Sequence, residues 1–169
     1  MRLANSVRAA IFATGAAFLI FYQDHSVEVG MSVLLFVTAT LAIAGVATNR
    51  SSAREYFVPT TLAFVVAALA LVFLLVESDK LFSFRALVFV FAIGMAVYEF
   101  VLSRKAKPDD VLELRIASGL GLLTGLVFLL APLDVGNAVG FLSAYLAISA
   151  TQRAVWAASP TNGKKTRNG

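Results

Sequence analysis

"FVFAIGMAVYEFVLSRK", residues 89–105, decides how the whole chain is read. Apolar positions run from Phe89 to Tyr98, a carboxylate follows at Glu99, and the stretch closes on Arg104 and Lys105. An apolar run finished by cations is the pattern of a membrane helix that ends at the cytoplasmic face. Glu99 stands 18 residues beyond Leu81, about 27 Å along a helix, and five before Arg104, about 7.5 Å. That depth is near the cytoplasmic boundary rather than the midplane. It favours an acid that faces water or pairs with an arginine over a proton relay. Arg153 lies at a comparable depth in the last apolar run, so Glu99 and Arg153 form the candidate intramembrane ion pair, tolerable where paired and hydrogen-bonded. For every arginine here, snorkelling to the headgroups is the alternative.

The rest of the chain extends the pattern. Of 169 residues, 59% are hydrophobic and 14% charged, with a mean hydropathy of +0.84. Soluble domains carry about 25% charged residues, so a polar surface cannot be built from this composition. Spans are expected at 7–22, 29–48, 56–76, 81–103, 114–132 and 135–154, since about 20 helical residues cross a hydrocarbon core of roughly 30 Å. The first has a short charge-free core, Ala9 to Tyr22, and with Arg2 and Arg8 before it also fits a signal peptide. No small-x-small cleavage pattern precedes "QDHS", and a second run follows at once, so a span is expected.

Twelve of the 14 Lys and Arg fall on one side of this layout, leaving Lys80 and Arg85 on the other. Such asymmetry marks the cytoplasmic side. The fold class expected is an all-α integral membrane protein of six transmembrane helices, arranged as three parallel helical hairpins with both termini cytoplasmic. The hairpins cover 7–48, 56–103 and 114–154 of one domain, residues 1–157. A basic, disordered cytoplasmic tail, 158–169, follows and is suited to touch anionic headgroups. Each hairpin opens beside an arginine (Arg8, Arg54, Arg115), which suggests a parallel rather than inverted repeat.

The third hairpin, "LRIASGLGLLTGLVFLLAPLDVGNAVGFLSAYLAISATQRAVWA" at 114–157, resembles the two-helix repeat of the HdeD-type acid-resistance membrane proteins. The resemblance is carried by Arg115, Gly119, Gly125, Pro132, Gly140, Tyr145, Leu146, Ser149 and Arg153. It is loose over the first two hairpins, where Glu77-Ser78-Asp79-Lys80 replaces the proline turn. What it implies is a six-span inner-membrane protein linked to stress or acid tolerance, without a defined chemistry.

The remaining polar groups are few. His25, between Asp24 and Glu28 in an outer loop, makes these three a candidate pH-responsive set, because an unperturbed histidine titrates near 6.5. Arg85 is expected to snorkel with a local ion pair to Glu77 or Asp79, anion binding being the alternative. Gly121 with Gly125, and Gly136 with Gly140, have the small-xxx-small spacing of helix-packing sites in lipid. Trp156 and Tyr22 fit interfacial anchors.

The chain lacks cysteine and has one histidine, which excludes thiolate chemistry and multi-histidine metal centres. No catalytic set, phosphate loop or Asp-rich motif is found, so neither an enzyme nor a cofactor is expected. The partners expected are the lipid bilayer and either itself, as a homo-oligomer, or other membrane proteins. No nucleic acid is expected, since the cations read as topology signals. A non-enzymatic, stress- or acid-associated accessory protein leads. Its rivals are a small channel or transporter lined by Thr38, Thr40, Thr60, Thr61, Thr124, Ser143 and Ser149, and a packing subunit of a larger complex.

Overall fold

A computed structural model describes residues 2–22, 24–48, 53–76, 79–106 and 108–158. Most of the expected basic tail, with Arg50, Glu77 and Lys107, lies outside the described residues. Six α-helices follow one another: α1 (Arg2–Phe21), α2 (Val27–Thr48), α3 (Ala53–Leu75), α4 (Lys80–Ser103), α5 (Pro108–Leu130) and α6 (Val135–Ala158). No strand occurs among the described residues. The chain is all-helical.

Four helices carry stretches long and apolar enough to cross a membrane: Val27–Ala47, Val58–Leu75, Lys80–Ser103 and Asp110–Leu130. The apolar stretch of α1, Asn5–Phe21, is shorter. In α6 the apolar run is diluted by Ser143, Tyr145, Ser149, Thr151, Gln152 and Arg153. Helix ends also differ from the expected spans. α5 starts at Pro108 rather than 114, because proline suits the first helical position and acids favour the first turn, whether or not the residues are apolar.

The short turns are built by side chains that satisfy open helix ends. Asp79 Oδ1 accepts the Phe82 N–H at 3.0 Å, and Asp134 Oδ1 accepts the Asn137 N–H at 2.8 Å. Before α2, Asp24 Oδ1 accepts the Ser26 N–H and Ser26 Oγ accepts the Val29 N–H. Each even-numbered helix therefore begins on a polar cap, worth about 1 kcal/mol apiece.

Helix partnering does not follow the hairpins. The most extensive contacts pair α4 with α5, α1 with α6, and α2 with α3; the two helices of each hairpin touch less. α2, α4 and α6 meet one another at the centre, while α1, α3 and α5 do not approach each other among the described residues. The pattern has an approximate threefold character, with each odd helix set in a groove between two even ones. Sequence spacing reads which segments are apolar but not which neighbour each selects. In lipid that choice rests on close packing and not on apolar burial.

Phe12, Phe84, Phe91 and Phe128 fill the interior with Leu19, Met31, Leu34, Leu142 and Leu146. Phe84 and Phe128 meet edge to face with centroids 6.1 Å apart. Large apolar side chains also cover the outside, from Phe21 at 82% exposure to Ile43 at 70%. A continuous apolar exterior over an apolar interior is the surface of a helix bundle solvated by lipid.

Candidate functional site

Among the described residues one pair of opposite charges is buried in the bundle. Glu99 is 4% exposed and Arg153 is 5% exposed, and Arg153 Nη2 donates to Glu99 Oε1. Glu99 lies on the last full turn of α4, about 6 Å of helix rise before Ser103. Arg153 is about 7.5 Å of helix rise before Ala158 at the end of α6. The backbones of α4 and α6 approach each other little, so two long side chains span a gap that apolar packing leaves open.

Local sequence positions both groups. On α6, Tyr145, Ser149 and Arg153 recur four residues apart and share one buried face. The Ser149 hydroxyl lies beside the Tyr145 phenol, which is within electrostatic reach of Glu99 and Arg153. The Arg153 guanidinium carbon sits 5.5 Å from the centroid of the Phe12 ring on α1. Its Nε is buried without a hydrogen-bond partner. The site thus joins α1, α4 and α6, and the two charges neutralise each other where water is excluded. A boundary acid turned to water is not what the structure has.

The outer loop residues are spread differently. Asp24 serves the turn before α2. Glu28 Oε1 accepts from Lys80 Nζ at 2.9 Å, tying the start of α2 to that of α4 at an exposed position. His25 is exposed between them. Asp24 and Glu28 therefore have structural tasks in separate contacts.

Arg85 corrects its expectation. It does not pair with Asp79, whose carboxylate caps α4, and Glu77, the other expected partner, lies outside the described residues. Arg85 Nε and Nη2 donate to the Phe128 carbonyl at 3.2 and 3.1 Å, and Nη2 donates to the Ala131 carbonyl at 2.6 Å. The side chain closes the C-terminus of α5, where unpaired carbonyls and the helix dipole attract a cation. Replacing Arg85 by Met is expected to destabilise the bundle by about 2–3 kcal/mol, from lost charge-assisted hydrogen bonds. Thermal unfolding in detergent measures this, and Arg85→Lys should recover part of the loss.

The glycines divide. A Cβ at Gly121 would stand 2.8 Å from the Ala92 carbonyl oxygen, and one at Gly125 would stand 2.5 Å from Ile93 Cδ1, so both permit the close α4–α5 contact. Gly136 and Gly140 do not pack this way: Gly140 faces open space, and Gly136 has only Asp134 at 3.8 Å. Their spacing matches Gly121 and Gly125, but they lie on the outward side of α6. Gly45, against Thr60 of α3, and Gly30, against Phe84 and Val139, are contact glycines that the spacing pattern passes over. Trp156 Nε1 donates to Asp110 Oδ1 at 3.3 Å and Gln152 Nε2 to the Glu113 carbonyl at 2.7 Å, which joins α6 to α5.

Among the described residues no three His, Asp or Glu side chains gather as a metal site requires. Thr38 and Thr40 return their hydroxyls to carbonyls of their own helix, and Thr61 faces outward. No family model matches the chain, and no curated protein or solved structure is significantly similar to it. What the chain offers on its own terms is an apolar helical bundle with several helices fit to cross a membrane and one neutralised ion pair inside it.

Proposed function

We propose that this is a six-span, non-enzymatic protein of the inner membrane, made of three parallel hairpins with both termini cytoplasmic. It works as a stress- or acid-associated accessory component. The observation that favours a self-contained bundle over a conduit is the filled interior: Phe and Leu side chains occupy its middle. The buried charges sit near one end, already paired. A coupled transporter needs an ionisable group or broken helix at mid-depth. Support for six spans comes from the way α1 and α6 lie along each other and beside the more apolar helices. The acid association rests on the resemblance of 114–157 to the HdeD-type repeat.

The chain has no cysteine, so single introduced thiols report sidedness directly. K105C and K165C are expected to react with an impermeant reagent only from the cytoplasmic side, and H25C only from the other. Reaction of K105C and K165C from opposite faces would overturn the topology. Proteoliposomes carrying the protein are expected to hold a pH gradient as well as empty ones. A specific proton or solute flux would replace the accessory role by the channel. Loss of acid survival in a deletion strain, restored by the intact gene, tests the stress association separately.

A further inference from the structure

We propose that the outer seam between α4 and α5 binds one anionic phospholipid, with its phosphate held by Arg104 and Arg115 and an acyl chain lying over Gly119. The register of the two helices brings these residues together. Gly121 packs on Ala92 and Ala96, and Gly125 packs on Ile93. The helices are antiparallel, so counting back from Gly121 as α4 counts forward places Arg115 level with Phe100. Arg104 lies one turn beyond Phe100, but its guanidinium carbon is folded back to 4.9 Å from the centroid of that ring. Both arginines are exposed. Two cations thus flank one seam at one depth, near the helix ends where headgroups lie.

The apolar half of the site is below them. Gly119 follows Arg115 by one helical turn on the same outward face, and a Cβ there would meet nothing within 4 Å. Leu122 and Leu123 are exposed on the same outward side of α5, so the missing side chain leaves a dip in the apolar face of that helix beneath Arg115. Two acids of this end, Asp110 and Glu113, are turned toward α6. Asp110 accepts from Trp156 of α6. Glu113, two residues from Arg115, lies on the α6 side of α5, where its carbonyl accepts from Gln152. Lys105 is exposed at the end of α4 and adds positive charge. A phosphate above an acyl chain matches both halves; a soluble phosphate would use only the upper one.

The test is native mass spectrometry of the whole chain in detergent, titrated with phosphatidylglycerol and with phosphatidylcholine of the same acyl chains. Phosphatidylglycerol is expected to bind about tenfold tighter, R104Q and R115Q to weaken it about threefold each, and the double variant to weaken it about tenfold. Both side chains are exposed, so these variants should keep the wild-type unfolding temperature, and R115K should retain most of the binding. G119L, which fills the dip and leaves the charges, should also weaken retention. Equal retention of the two lipids, unchanged binding in the double variant, or competition by glycerol phosphate as strong as by whole lipid would each overturn the proposal.

Discussion

Glu99→Gln should destabilise the bundle by about 3–5 kcal/mol, because it leaves the Arg153 guanidinium buried without its counter-charge. Arg153→Met should cost a similar amount by stranding the carboxylate. The double variant Glu99→Leu/Arg153→Met should lie much closer to the wild type, within about 1–2 kcal/mol, since it removes two desolvation penalties along with one attraction. The two single effects then fail to add by at least about 4 kcal/mol, which a thermal double-mutant cycle in detergent reads directly. Additive single effects would mean that the two groups act independently. The pair is nearly sealed from water, which is why a large effect is expected here and not at Glu28 and Lys80. That exposed pair should contribute no more than about 1 kcal/mol.

The second large effect is expected at Gly121. Gly121→Leu drives a branched side chain into the Ala92 carbonyl, a backbone atom that cannot rotate away. Overpacking of this kind costs about 1–3 kcal/mol even for smaller insertions, so separation of α5 from α4 is the expected outcome. It would be read as a collapse of the unfolding temperature and as protease access to the α4–α5 connection. Gly140→Leu is the matched control. The same change in open space should stay within about 0.5 kcal/mol of the wild type, with any gain in helix propensity acting against loss. If both variants behave alike, the close α4–α5 approach is not what holds that seam.

Some of this structure was legible from residue order and some was not. Apolar runs and the placement of Lys and Arg mark the helices, because crossing hydrocarbon imposes a length and a charge asymmetry that any observer can count. Depth could be measured too, by counting residues from Arg104, and that brought Glu99 and Arg153 to one level. Their burial could not be read, since it depends on α4 and α6 both facing the centre. The partnering of helices was equally hidden: a leucine gains the same environment from lipid as from a neighbour, so hydropathy is silent on who sits beside whom. Gly121 and Gly140 show the limit most plainly. Both stand in the same small-xxx-small pattern, and only the side of the helix on which each falls separates a contact from an open face. The contact of Arg85 with the end of α5 was hidden because the carbonyls of Phe128 and Ala131 lie 43 and 46 residues further on.

The closure of α1 against α6 has a consequence for how the molecule is made. On the six-span reading proposed above, a helix released early from the ribosome waits until its chief neighbour is synthesised after everything between Phe21 and Val135. During that interval α1 can rest on α2, whose Val33 and Val37 lie against Gly15, while the side that meets α6 has no partner yet. The α1–α6 pairing is therefore the last of the three large helix contacts that can form.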